Sequence, residues 1–183
     1  MTAVSEQTHK SSRSPLVPRM FFGTFLRVAI TLNASLSVVL SSISVCDGQW
    51  LLAPEETAFG LWKTCRMGSE PQCNVDMAGL NQGMVLVRTA VCLAVVVAIF
   101  GLELLMVSQL CEDGNARRKW SAGSALLLVS FFLSSAGTMT YVVILRDYIM
   151  LSSFSLTFWC QFLGVFLFFL NGISGLYFNS LTA

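Results

Sequence analysis

Four long apolar runs, at about residues 20–45, 84–110, 120–145 and 154–178, constrain this 183-residue chain more than any other feature. Each exceeds the roughly 20 residues needed to cross a hydrocarbon layer about 30 Å thick. Hydrocarbon offers no partner to backbone N–H and C=O groups, so each run is expected to be a helix that bonds within itself. The fourth run carries Phe154, Phe158, Trp159, Phe162, Phe166, Phe168 and Phe169, and is apolar on every face. Composition agrees: 55% of the chain is hydrophobic and 11% charged, against roughly a quarter charged in soluble domains. The fold class expected is an all-α membrane protein, a bundle of four transmembrane helices.

The polar segments between the runs set the organisation. Residues 1–19 form a Ser- and Thr-rich tail with Pro15 and Pro18, read as disordered. The run after it is too long for a cleaved signal peptide. Residues 46–83 form the only large loop; 111–119 form a short basic connection, 146–153 a second short one, and 179–183 the end. Lys10, Arg13, Arg19, Arg27, Arg117, Arg118 and Lys119 fall on one side of the membrane. The other side has Lys63, Arg66 and Arg146, with Arg88 at the mouth of the second helix. The larger basic group is expected to be cytoplasmic, with both termini, which leaves the large loop and the connection at 146–153 outside.

Cys65 and Cys73 then face an oxidising compartment, where they are read as a disulfide rather than two free thiols. Gly68 and Pro71 between them suit a tight hairpin, and closing so short a loop is worth about 2.5 kcal/mol in the chain-entropy model. Cys46 falls outside with no evident partner. Cys92 and Cys160 lie within helices and read as apolar filler. Cys111, at the cytoplasmic membrane edge, is compatible with palmitoylation or with an unmodified thiol.

Trp50, then Gly60-Leu61-Trp62, then Cys65 and Cys73 resemble the Trp…Gly-Leu-Trp-x-x-Cys…Cys signature of the superfamily of claudins, peripheral myelin protein and calcium-channel gamma subunits. The resemblance extends to the four helices and the two outer loops. It implies a left-handed four-helix bundle with a small extracellular antiparallel β-sheet, which Trp50, Gly60, Leu61 and Trp62 anchor. The residues suit that role: tryptophans favour the membrane interface, and Gly60 permits a bulge or close approach. Within the superfamily, Ser44-Val45-Cys46-Asp47-Gly48-Gln49-Trp50, Phe59-Gly60-Leu61-Trp62, the stretch from Ala98 to Asp113, and Phe169-Leu170-Asn171-Gly172 are similar to the voltage-dependent calcium channel gamma-like subunit family. That resemblance implies an auxiliary plasma-membrane subunit that meets the pore-forming subunit of a voltage-gated calcium channel and favours its inactivated, closed state. Two features depart from other gamma subunits. The one sequon, Asn33-Ala34-Ser35, lies in the first helix, and the chain ends Asn179-Ser180-Leu181-Thr182-Ala183, without a PDZ-binding motif.

Charges within the runs are the remaining candidate sites. Glu103 falls in the cytoplasmic half of the second run, where a carboxylate costs about 2.5–3.5 kcal/mol if central. Arg27 is expected at similar depth, and the two are expected either to pair inside the bundle or to leave Glu103 facing a channel helix. Protonation, or reach to the interface, is the alternative. Arg88 is expected to snorkel to headgroups. Gln161 and Asn171 can bond across helices, and Gly123, Ser134, Gly137, Gly164, Gly172 and Gly175 permit close helix approach.

Catalytic and cofactor chemistry is not indicated. The single histidine, His9, is in the tail, and no zinc-ligand spacing or phosphate-binding glycine loop appears. No small-molecule substrate or nucleic-acid partner is expected. Two other functions fit a four-span chain: a claudin-like adhesion protein acting through its outer loops, and a tetraspan that regulates trafficking of another membrane protein.

Overall fold

The computed structural model describes residues 16–47, 49–53, 57–66, 72–74, 81–110, 115–146 and 154–181. Four helices dominate: α1 Leu16–Cys46, α2 Asn81–Leu110, α3 Ala116–Ile144 and α4 Leu156–Leu181. All four are long and apolar enough to cross a membrane. At 26 to 31 residues each they are about 39–47 Å long, longer than the hydrocarbon alone requires. The helical hydrogen-bond ladder simply continues beyond the apolar run. In α1 it starts at Leu16 and includes Pro18, because a first-turn residue has no intrahelical use for the N–H that proline lacks.

The bundle follows from a burial period of 3.5 residues. Along α2 the residues turned inward are Met84, Val87, Val91, Ala94, Ala98, Gly101, Leu105 and Ser108, alternating steps of three and four. The inward residues of α3 contain the same alternation, Trp120, Gly123, Leu127, Ser130, Ser134, Gly137 and Tyr141, with Ser124 and Thr138 widening the stripe. A seam repeating every seven residues favours left-handed crossing of the helices. Small residues at seam positions set the spacing. A Cβ on Gly123 would lie 2.8 Å from the Gly101 carbonyl oxygen, so α2 and α3 meet backbone to backbone there. Gly164 lies against Ser37 and Ser41 of α1, and Gly172 and Gly175 against Leu128 and Ser124 of α3. Lipid tails are as apolar as leucine, so such close packing holds membrane helices together.

Two amides inside the bundle bond across helices. Gln161 Nε2 donates to Ser134 Oγ at 2.6 Å, and Ser41 Oγ donates to Gln161 Oε1 at 3.1 Å. One amide thus joins α1, α3 and α4. Lower down, Asn171 Nδ2 donates to Ser37 Oγ at 3.2 Å. Large apolar side chains on the outer surface, among them Phe25, Leu32, Leu86, Phe100, Phe132, Phe162 and Tyr177, are exposed, as expected where lipid is the solvent.

The connection between α1 and α2 carries an antiparallel four-stranded meander at one end of the bundle: β1 Leu51–Ala53, β2 Thr57–Phe59, β3 Thr64–Arg66 and β4 Gln72–Asn74, in spatial order β1-β2-β3-β4. The register pairs Leu51 with Phe59, Ala58 with Cys65, and Cys65 with Cys73. A disulfide joins that last pair, with Cα atoms 4.1 Å apart. Strands of three residues cannot support a core of their own. The sheet is instead held by the bundle, and at its β1 edge Leu51 forms a bridge with Phe154, just before α4.

Candidate functional site at the sheet–bundle junction

Three residues of the sheet and its turns, Trp50, Leu51 and Leu61, enter the bundle. Trp50 and Leu61 are fully buried with Leu51, Met84, Val87, Val91, Tyr141, Leu145 and Phe158 in one apolar cluster. Trp50 extends β1: its N–H donates to Phe59 O at 2.9 Å, and its carbonyl accepts from Ser155 N at 3.0 Å. Its indole N–H, deep in the cluster, donates to Ser44 O at 2.8 Å. That carbonyl lies in the last turn of α1, where helical carbonyls lack intrahelical donors. The indole ring stands edge-on to Tyr141 of α3, with centroids 4.9 Å apart, and to Phe158 of α4 at 6.1 Å.

Leu61 and Trp62 form the tip of a two-residue hairpin between β2 and β3, closed by the Gly60 N–H donating to Lys63 O at 3.0 Å. Gly60 is buried. The tip points its two side chains oppositely. Leu61 is buried, whereas Trp62 stays 42% exposed and donates its indole N–H to Val45 O at 2.7 Å. Both tryptophans therefore cap the end of α1, on adjacent carbonyls. Trp50 is a core residue, because its one polar atom finds a buried acceptor.

The guanidinium of Arg88, expected at the headgroups, turns to the hairpin tip. Nε donates to Leu61 O at 2.6 Å, Nη2 approaches Trp62 O at 3.4 Å, and the group lies 5.7 Å from the centre of the Trp62 ring. The hairpin tip offers two carbonyls and a ring face to the cation. Tyr141 completes the clamp by donating its hydroxyl to Phe59 O at 3.1 Å. At the mouth of α4, Ser155 Oγ donates to Gln49 O, Thr157 Oγ1 to Asp47 Oδ2, and Ser44 Oγ to Thr157 O at 3.0 Å.

Sheet and hairpin are thus tied to all four helices: α1 through Ser44 and Val45, α2 through Arg88, α3 through Tyr141, and α4 through Ser155 and Phe158. Arg88→Met keeps the apolar stem but removes both hydrogen bonds and the charge over Trp62. It is expected to lower the stability of the solubilised chain by about 2 kcal/mol. Thermal unfolding in detergent checks this; an unchanged midpoint would show that Arg88 is not an effective anchor.

At the opposite end, Arg27 and Glu103 do not pair. The Arg27 guanidinium carbon lies 5.5 Å from the Trp120 ring centre and 5.4 Å from that of Phe178. Trp120 is itself fixed, since its indole N–H donates to Gly175 O at 2.9 Å. The geometry opposes pairing. Gln109 of α2 reaches Arg27 O at 3.4 Å and also bonds the Thr31 hydroxyl, so Arg27 is level with Gln109, six residues or about 9 Å along α2 from Glu103. Glu103 is exposed on the outside of α2.

The motif residues Trp50, Gly60, Leu61, Trp62 and Cys65 come together with Arg88, and Cys73 flanks them across the disulfide. Arg27 and Glu103 lie elsewhere, and Cys111 is outside the described residues. Cys46, Cys92 and Cys160 are free thiols. Tyr141, Phe158, Ser44 and Trp120 were missed from sequence. Tyr141 had left a trace, a single phenol near the outer end of an apolar run, where its hydroxyl needs a partner.

The arrangement makes one body of helices and loop. Among the described residues, no group of three or more histidine, cysteine, aspartate or glutamate side chains is placed to hold a metal ion. Comparison with known proteins agrees with the motif. A family model described as the voltage-dependent calcium channel gamma-like subunit protein family matches residues 6–183. A human protein described as voltage-dependent calcium channel gamma-like subunit is 51% identical over 187 aligned residues, covering 100% of this chain and 98% of the relative. With four membrane-spanning helices, a disulfide-closed sheet and a match along nearly its whole length, this chain belongs to the voltage-dependent calcium channel gamma-like subunit family.

Proposed function

We propose that this chain is an auxiliary subunit of a voltage-gated calcium channel, resident in the plasma membrane with both termini in the cytoplasm, and that it favours the channel's inactivated, closed state. The observation that carries this reading is the full-length identity to a relative described as a calcium-channel gamma-like subunit. The structure supports it by its build. A subunit that biases gating needs a rigid surface against which the two gating states of its partner differ in contact. A bundle clamped to its sheet at four helices is such a body. The basic residues Arg117 and Arg118, at the end opposite the sheet, support the orientation.

The subunit acts only through a difference in affinity for the two states. A difference of about 1.4 kcal/mol changes their ratio tenfold. For a sensor moving about three charges, that corresponds to roughly 20 mV. Whole-cell recording of a voltage-gated calcium channel with and without this chain is expected to show steady-state inactivation displaced by that order toward negative potentials, with smaller current density. Identical inactivation curves and current densities, with the chain confirmed at the surface, would overturn the reading.

A further inference from the structure

We propose that the outward face of α2 around Glu103 is a docking surface for a transmembrane helix of the channel, and that this helix presents an arginine or lysine to the Glu103 carboxylate. The inference rests on the channel reading above and names the chemistry of the contact.

Glu103 is turned away from its own protein. At about 100° per residue it lies roughly 150° around α2 from the inward line of Ala98 and Leu105. Its neighbours on that face are Val96, Ile99, Phe100, Met106, Val107 and Leu110, all exposed and apolar. Residues one turn before and after are Ile99, Phe100, Met106 and Val107, so no cation of its own helix reaches it at the spacing that allows pairing.

The neighbouring helices do not supply a cation at its level either. Gly123 packs on Gly101, Leu104 and Leu105, which puts that part of α3 level with Glu103. The basic residues Arg117, Arg118 and Lys119 begin four residues nearer the end of the bundle, about 6–9 Å away along the axis. Arg27 of α1 is level with Gln109 and lies over the rings of Trp120 and Phe178. Arg27, Arg117, Arg118 and Lys119 therefore form one layer, and Glu103 stands deeper than that layer, on the apolar surface. The described residues give it no hydrogen bond or ion pair.

A carboxylate in that position is costly against lipid and favourable against a cation that is itself in the membrane. Voltage-gated channels carry helices of that kind, in which arginines recur through the membrane. The apolar residues above and below Glu103 supply the packing, and the carboxylate selects the partner and fixes its depth. Because only one charge is offered, a sensor helix that moves along its axis would bring different arginines to it in different gating states, which is the state-dependent affinity the function requires.

The test uses the full-length chain co-expressed with a calcium-channel pore-forming subunit and extracted in mild detergent. Glu103→Gln and Glu103→Leu are expected to reduce co-purification of the pore subunit about tenfold, the factor equivalent to 1.4 kcal/mol, and to abolish the displacement of inactivation. Surface delivery and thermal midpoint should be unchanged, since Glu103 is exposed and makes no hydrogen bond or ion pair among the described residues; Glu103→Asp should retain most of the binding. Wild-type binding by both the Gln and Leu variants would overturn the docking surface and leave the channel reading standing. A large loss of thermal stability in Glu103→Gln would also overturn it, by showing an internal role. If the unmodified chain neither co-purifies with the channel nor alters its currents, the functional reading fails first, and the docking surface with it.

Discussion

Trp50→Ala unfolds the sheet from the bundle and lowers the stability of the solubilised chain by about 4–5 kcal/mol. Three losses combine. The indole is fully buried, and truncating a buried aromatic to alanine costs about 3–5 kcal/mol, cavity included. Its edge-on contacts with Tyr141 and Phe158 account for part of that, at about 0.5–1.5 kcal/mol for each ring pair. The Ser44 carbonyl loses its donor, which adds roughly 1 kcal/mol. The effect should reach function as well, because the same side chain joins β1 to α1, α3 and α4. Thermal unfolding in detergent, with surface labelling of intact cells, measures both. Trp50→Phe separates the contributions: it keeps most of the ring and loses the hydrogen bond, so it should retain more than half of the lost stability. A Trp50→Ala protein with a wild-type midpoint would show that the hairpin tip alone holds the sheet.

The second large effect is expected at Gly123. In Gly123→Leu the first added carbon would meet the Gly101 carbonyl oxygen at 2.8 Å, Leu105 Cγ at 3.1 Å and Leu104 Cβ at 3.2 Å. Leucine side chains can shift, but a helical backbone carbonyl cannot move unless α2 and α3 part along their length. Parting them also disturbs Ala98 and Leu105, which line the lower core. Overpacking costs about 1–3 kcal/mol in ordinary cores, and a backbone clash at a helix crossing belongs at the upper end. Gly123→Ala meets the same carbonyl oxygen and should also lower the midpoint, but by less, since it adds one carbon rather than four. Gly23→Ala is the control: its nearest neighbour is the Phe178 ring at 3.7 Å, an ordinary contact, and its midpoint should stay at the wild-type value. Equal midpoints for Gly123→Leu and Gly23→Ala would refute close packing of α2 on α3.

Comparison of the two sites shows how far the chain could be read without coordinates. The apolar runs announce four helices because lipid leaves a backbone no other way to satisfy its hydrogen bonds. The cysteine pair and the Trp…Gly-Leu-Trp spacing were legible for a similar reason: residues close in sequence can only meet in a tight hairpin, and Cys65 faces Cys73 across one turn of the meander. Gly123 and Gly137 could be marked as packing positions, since a missing side chain on a membrane helix has few other uses.

Contacts between helices were another matter. Arg27 and Glu103 seemed matched in depth and opposite in charge, yet each follows its own helix's rotation and axial offset. A six-residue offset separates them, and Glu103 faces outward. Arg88 had every mark of an interfacial cation until the hairpin tip placed two carbonyls and a ring beside it. Trp50 and Trp62 have the same chemistry and similar spacing to their neighbours, but one fills the core and the other covers it. Periodicity and solvent act on each segment separately, so they are written locally. The rotation and height at which helices meet depend on every seam position at once, and those decided which charge found a partner and which was left facing the membrane.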